Sequence, residues 1–486
     1  MSRSSRRFSS NKERSYSEPT NNCRTISTEG KKMGIFGKAD IVVEGGARWT
    51  DLSPEEKREE RFKRWLSPPN VKFSSPEAEQ GYQARVTRFI KVIKLEEPDR
   101  VPILLPANFL PAYHAGQTLK TVMYDYDELR RGWLKFLRDF EMDAFPGPGL
   151  VYPGKVLETI DYRFHHWPGH GLAEDGSSYQ YIEGEYMKAE EYDELIKDPA
   201  HFLLTTYLPR SSGAFAAFRK LGPMTQVIGV PIPYIAQYSD PEVQASVRTL
   251  LEAAIETMKW RDAVDGINRA ALEAGVPSIR GAMSGAPFDR IGDFLRGTKG
   301  IMLDMYRRPE KLQEAMERIT PILIEQGLRA ANVLECPVVF LPLHKGSEGF
   351  MSNRQFETFY WPTLKKVMMA FIEEGLVPMP FAEGNYEPRL EMIKDMPRGK
   401  VIWYFEAMDM AKAKEVLGSS ACIAGNLPVS ILSTGTPQEV KEGCRKLIRA
   451  CGRGGGYILA GSASMDKGNP ENLRAMMEAA KEYGVY

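Results

Sequence analysis

Short apolar runs alternate with amphipathic stretches through the second half of the chain. The runs stand at 338–343, 376–381, 400–405, 421–425 and 457–461. The stretches between and after them, near 353–374, 387–395, 409–417, 436–451 and 470–483, repeat their apolar positions at helical spacing. In the first, Ser352 and Gln355 stand at capping-box spacing, and Phe356, Phe359, Leu364, Val367, Met368 and Phe371 share one face. Buried strands and helices alternating at a spacing of about twenty-five residues predict βα units around a parallel sheet. The earlier half is less regular, with strand patterns at 101–105, 143–146, 226–230 and 278–282. About eight strands in a chain of 486 residues predict an α/β fold of the closed (β/α)8 TIM barrel type, rather than an open doubly wound sheet.

Two helices precede this alternation. Ser53-Pro54-Glu55-Glu56 is a capping box with proline at the first helical position, predicting a helix to about Trp65. A second begins near Ser75-Pro76 and places Tyr82, Val86, Phe89, Ile90 and Ile93 on one face. This helical leader, 46–95, is expected to pack on the outside of a barrel domain spanning 96–486. Residues 150–190 break the alternation with His165-His166-Trp167-Pro168-Gly169-His170 and a polar run, the pattern of an inserted hairpin region. Ahead of everything, residues 1–32 carry eight Lys/Arg against three acids and almost no large apolar side chains. A basic, Ser- and Arg-rich tail over 1–45 is expected to be disordered, because it cannot bury enough surface to offset its ordering entropy.

Composition narrows the function classes. Lys+Arg and Asp+Glu balance at 64 each, so no global field favours nucleic acid or an anionic membrane. No apolar run approaches the roughly 18 residues of a spanning helix. The five cysteines, Cys23, Cys336, Cys422, Cys444 and Cys451, are dispersed and form no CxxC pair. With no apolar secretory leader, they fit a reducing cytoplasm.

Candidate chemistry lies just past the apolar runs. The run ending Pro378-Met379-Pro380-Phe381-Ala382 breaks at Glu383-Gly384-Asn385. His344, Glu406, Asp409, Asn426, Ser462 and Ser464 occupy equivalent places after their own runs. A barrel active site is assembled from such strand ends, although each residue alone is equally a cap or turn former. His344 with Glu383 and Glu406 suits either a nitrogen-and-carboxylate metal site or a general acid beside a base. A carboxylate near another in a buried setting holds its proton towards neutral pH. Of the arginines 280, 290, 296 and 389, most read as salt-bridge formers, whereas Arg280 stands at a strand and suits a substrate carboxylate. The histidine-bearing insertion, His166 included, reads as a loop closing over substrate more readily than as a metal site. Gly452-Arg453-Gly454-Gly455-Gly456 precedes a strand, so it is a helix-to-strand turn and not a phosphate loop.

From about Arg100 to the end, the chain resembles the uroporphyrinogen decarboxylase superfamily, in the branch of the corrinoid-dependent methyltransferases. The resemblance rests on Pro98-Asp99-Arg100-Val101-Pro102, Phe288-Asp289-Arg290 with Arg296-Gly297, and Phe381-Ala382-Glu383-Gly384. Gly425-Asn426, Gly435-Thr436-Pro437-Gln438-Glu439-Val440 and Pro470-Glu471-Asn472-Leu473 complete it. It implies a (β/α)8 barrel. The thiol-activating methyltransferases of the branch hold zinc with a His-x-Cys pair and a later Cys, where this chain has Phe381, Glu383 and Ser462. What survives of a metal site is Glu383 with His344. The decarboxylases bind propionates through an arginine-rich segment after the first strand; here that segment keeps Pro111 and Tyr113 and has no arginine, which argues against a substrate with many carboxylates. No Asp-x-His-x-x-Gly sequence occurs, so any corrinoid comes on a partner protein. The resemblance thus implies a methyltransferase moving a methyl group between a small substrate and a partner's corrinoid. The alternatives are a decarboxylase of a tetrapyrrole or other carboxylate, and a non-catalytic barrel that binds a corrinoid protein. Catalytic roles fall to Glu383, His344, Glu406 and Asp409, with substrate contacts from Arg280, Asn426, Tyr113, His166 and Ser462.

Overall fold

The computed structural model describes residues 48–486 except 333 and 334. The expected basic tail over 1–45 lies outside the described residues. So does almost all of a separate first unit, Met1–Asp51, of which a short helical turn at Trp49–Asp51 is seen. The second unit, Leu52–Tyr486, is the barrel with its leader.

Seven parallel strands form one curled sheet: β1 (Ile103–Leu104), β2 (Ala282–Met283), β3 (Val338–Leu343), β4 (Val377–Ala382), β5 (Ile402–Phe405), β6 (Cys422–Leu427) and β7 (Tyr457–Gly461). Their order around the wall is β1-β7-β6-β5-β4-β3-β2. The gap between β1 and β2 is filled by the extended segment 143–146. Phe145 bridges Ser278 in the parallel sense, and its N–H donates to the Pro277 carbonyl at 2.8 Å. The expected eight staves are therefore present, as in a (β/α)8 barrel. The strand expected at 226–230 is not one of them. Met224–Val227 is a 3-10 turn, Gly229 takes φ +98°, and Val230 is exposed, so the segment neither stays extended nor becomes buried.

The two-residue period of the strands sorts the side chains. Phe340, Met379, Tyr404, Ala424 and Ala460 point into the barrel and pack with one another. Their neighbours Val339, Leu341, Trp403, Phe405, Ile423 and Leu459 point outward into the layer shared with the helices.

Helices α1 (Pro54–Leu66) and α2 (Pro76–Ile93) pack on the end of the barrel and not along its side. Phe62, Trp65, Tyr82, Val86 and Phe89 join the interior cluster, so the leader closes the end of the barrel where the strands begin. Its arginines bind carbonyls of the helix-to-strand turns there: Arg58 to Gly399 (2.8 Å), Arg61 to Glu374 (2.8 Å) and Arg85 to Met142 and Gly275 (3.0 and 3.1 Å). Gly375, at φ +74°, permits a close approach, since a Cβ there would stand 2.6 Å from the Arg58 amide nitrogen.

No backbone ladder joins β1 to the 143–146 segment, and a buried carboxylate takes its place. Asp143 accepts the Ile103 N–H (2.9 Å), two bonds from Arg100 (2.7 and 2.8 Å) and one from Arg88 (2.6 Å). The Asp143 side chain is only 1% exposed. Asp143→Ala would leave Arg100 and the Ile103 amide without their carboxylate at the closing seam, while Arg88 keeps its pair with Asp99. Urea unfolding should show a loss of about 3–5 kcal/mol, the usual cost of breaking a buried pair from one side.

Candidate active site

Alternation along the strands brings their last inward positions to the open mouth. His344 follows β3, Glu383 follows β4 and Glu406 follows β5. The ends are laced together, Glu383 N–H to Leu343 and Glu406 N–H to Ala382, both at 3.2 Å. The Glu406 carboxylate accepts the Gly384 N–H at 2.7 Å, fixing the loop that carries Glu383. Gly384 sits at φ +78°, and a Cβ would come 2.9 Å from the Ser347 side chain, so the turn requires glycine.

Two further carboxylates come from the element after β2. Helix Pro287–Ile291 runs on through a π-helical turn, Gly292–Arg296, and their four-residue spacing puts Asp289 and Asp293 on one side. Asp289 accepts the backbone N–H groups of His344 (2.9 Å) and Lys345 (3.1 Å) and the Tyr360 hydroxyl (2.6 Å). It thereby fixes the main chain that carries the histidine. Asp293 pairs with His344 Nδ1 at 2.6 Å and accepts a bond from the Lys345 ammonium. The other ring nitrogen, Nε2, faces Glu383 Oε1 at 3.7 Å. The result is a chain of groups, Asp293–His344–Glu383, spanning the mouth.

Electrostatics sets its protonation. Burial works against the His344 imidazolium, but the Asp293 hydrogen bond and charge outweigh it and push the group up to about 9. Burial also raises Asp293, yet His344 and Lys345 hold it below the usual carboxylate range. Glu383 is raised to about 7, first by burial and then by Glu406, Asp289 and Asp293, against the opposing charge of His344. Its side chain keeps 39% of its surface accessible, so it can be reached from solvent. Near neutrality, a charged imidazolium thus faces a carboxyl at the midpoint of its own titration.

Beneath these groups the barrel holds a narrow cavity of about 40 Å³, lined by Arg280, Phe340, Phe381, Tyr404, Met379 and Ser464 among others. The Arg280 guanidinium lies 4.8 Å from the Phe340 ring centre, and burial lowers its pKa. It has no hydrogen-bond or ion-pair partner among the described residues.

The remaining sequence candidates sit as follows. Asp409 caps helix Met410–Leu417, accepting the N–H groups of Ala411 and Lys412, which is the capping role weighed against catalysis. Asn426 donates to the Met408 carbonyl (2.8 Å), and the Ser462 hydroxyl accepts from the Val429 N–H (3.2 Å). Tyr113 is 43% exposed beneath the Lys467 ammonium. His166 lies in a small three-stranded sheet, His165–Pro168 with Gly171–Leu172 and Gln180–Tyr181, that the insertion forms instead of a simple hairpin. The three insertion histidines do not converge: His165 stacks near Tyr162, while His170 stacks on Trp167. This sheet is fastened to the Asp293 helix through the Tyr181 hydroxyl, which donates to the Asp293 carbonyl at 2.5 Å. Arg296 forms a buried pair with Asp304, and Arg389 binds loop carbonyls, so both are structural. Asp289 and Asp293 were missed as site groups; their signal was the Asp-x-x-x-Asp spacing just after a strand.

Zinc of the branch's thiolate type does not fit these residues. Among the described residues no three His, Cys, Asp or Glu groups are placed to hold a metal ion. His344 and Glu383 are two donors, and Asp293 already engages the histidine's other nitrogen.

Residues 220–483 match the family model described as Uroporphyrinogen decarboxylase (URO-D). The chain belongs to that family. It is 24% identical over 215 residues to a uroporphyrinogen decarboxylase of Syntrophotalea carbinolica, covering 43% of this chain and 61% of that one. It is 24% identical over 190 residues to one of Chlorobaculum parvum, covering 37% and 51%. The chain thus spans less than two thirds of these relatives' lengths. In three dimensions it resembles a methyltransferase from Methanosarcina mazei, with TM-score 0.52 and 16% identity over 82% of this chain and 98% of that one. That likeness concerns the barrel fold. No helix among the described residues is long and apolar enough to cross a membrane.

His344 supplies a pH test. A raised histidine stabilises the folded state fully below its unfolded value of about 6.5, and the contribution is lost as pH rises through about 9. Proton NMR should find the His344 ring titrating near 9 in the native protein and well lower in Asp293→Asn. The same substitution should flatten the decline in stability between those two pH values.

Proposed function

We propose that this protein transfers a methyl group from a small anionic substrate to a corrinoid carried by a separate protein, with Glu383 as general acid. The observation that carries the reading is the Asp293–His344–Glu383 chain standing above an unpaired Arg280. Phe381, which lines the same cavity as Arg280, and Glu383, just past β4, are successive inward positions about 7 Å apart at strand spacing. A substrate whose carboxylate rests on Arg280 therefore presents its other end to the acid. As the bond between methyl carbon and heteroatom breaks, the electron pair stays on the heteroatom and Glu383 delivers its proton there. His344, held by Asp293, then replaces that proton. A carboxyl titrating near 7 has the proton affinity this step requires at physiological pH. The corrinoid supplies the methyl acceptor.

Decarboxylation is the second reading, favoured by the names of the curated relatives. Arg280 weighs against it, because a guanidinium gripping a carboxylate stabilises the charge that decarboxylation must discharge. A barrel that only binds a corrinoid protein would leave the acid without a task.

Corrinoid spectra recorded with a corrinoid protein and methoxylated or methylthio carboxylic acids test the reading. Methyl transfer should fall above about pH 7 as Glu383 ionises. Glu383→Gln should lower kcat about 100-fold or more and abolish that limb. Arg280→Met should raise KM by about 10- to 100-fold, the worth of a charged hydrogen bond, with a smaller effect on kcat. Unchanged kcat in Glu383→Gln would remove the acid role. Loss of carbon dioxide from uroporphyrinogen would establish the second reading, and tight corrinoid-protein binding without turnover the third.

A further inference from the structure

The longest helix among the described residues, Pro241–Glu273, has 33 residues. It buries Val243, Ser246, Ala253, Val264, Ile267 and Ala271 against the rest of the chain. A helix on a monomer turns its opposite face to water and fills it with polar residues. Here that face carries Leu251, Ile255 and Met258, which are 59%, 61% and 64% exposed. With Arg248 and Asp262 they occupy alternating steps of three and four residues, the spacing of a coiled-coil seam. Arg248 and Asp262 are exposed at the two ends of the seam, and neither has a hydrogen-bond or ion-pair partner among the described residues.

We infer that this face docks a second copy of the same chain, helix against helix in antiparallel order about a two-fold axis at Ile255. Charge selects the occupant and the direction. Arg248 and Asp262 lie seven residues either side of Ile255. The axis therefore sets each arginine against the other copy's aspartate, and Leu251 beside the other copy's Met258. Parallel packing would oppose like charges at both ends. The arrangement is isologous, using one surface twice, as two-fold dimers do. A stable dimer buries about 1,200–2,000 Å² in total, more than this seam alone supplies. The segment leading into the helix adds to it: Met224, Ile228, Val230 and Ile232 are 63%, 85%, 67% and 68% exposed. Its boundaries are joined to the helix start by Lys220, paired with Asp240 (2.9 Å) and Glu242 (3.1 Å).

Sedimentation of the full chain should show a dimer at micromolar concentration. Arg248→Asp alone, or Asp262→Arg alone, opposes like charges at both ends and should weaken it by about tenfold or more. The double variant, Arg248→Asp with Asp262→Arg, should restore it. Circular dichroism should be unchanged throughout, because both sites are exposed. In a Cys23→Ser background, with Cys336, Cys422, Cys444 and Cys451 all buried, Ile255→Cys should form a disulfide-linked dimer on mild oxidation and Gln244→Cys should not. A monomeric wild type, or a dimer indifferent to the single swaps, would overturn the inference. So would single swaps that the double variant fails to rescue, or an Ile255→Cys protein that does not cross-link.

Discussion

Closure of the barrel depends on one buried carboxylate. Between β1 and the 143–146 segment the wall lacks a ladder, and Asp143 supplies acceptors to an amide of one side while holding Arg88 and Arg100 at the same point. An ionised group in that position is tolerated because four donors surround it. With the seam closed, the inward positions of every strand converge on a single mouth. Without it, β1 and the following segment would be the loose edges of an open sheet, and the mouth would lose its shape.

Carboxylates on a helix repeat this device at the mouth. Asp289 spends its oxygens on two backbone amides and a tyrosine hydroxyl, so it positions His344 without reaching substrate. Asp293, one turn on, touches the ring itself and decides its charge. The insertion sheet is tied to the same helix through the Tyr181 hydroxyl, which donates to the Asp293 carbonyl. Glu406 does for the Glu383 loop what Asp289 does for His344.

The barrel and half of its mouth were legible because they follow from local rules. A period of two carries His344, Glu383 and Glu406 inward at the ends of apolar runs, and a run's end can be read from composition alone. Asp289 and Asp293 were not found, because they sit on a helix, where an acidic pair ordinarily means a solvated face. Asp409 shows the converse: a polar residue after a strand also caps the next helix, and the capping geometry prevailed. The run at 226–230 has the apolar content of a strand, but Gly229 turns the backbone at φ +98° and a 3-10 turn occupies its start. The leader's apolar face was recognised, but its place beneath the barrel depends on turns hundreds of residues away, which no local pattern encodes.

That separation bears on how the molecule is made. The bonds from Arg61 to Glu374 and from Arg58 to Gly399 join residues 313 and 341 positions apart. On the ribosome, α1 and α2 emerge before any of the turns they will cover has been synthesised. Their apolar faces must wait, exposed, for about 300 residues, or roughly 15–60 s at ordinary rates of elongation. Such a face is a natural site for chaperone engagement during synthesis, and the floor of the barrel is among the last parts of the native structure to be sealed.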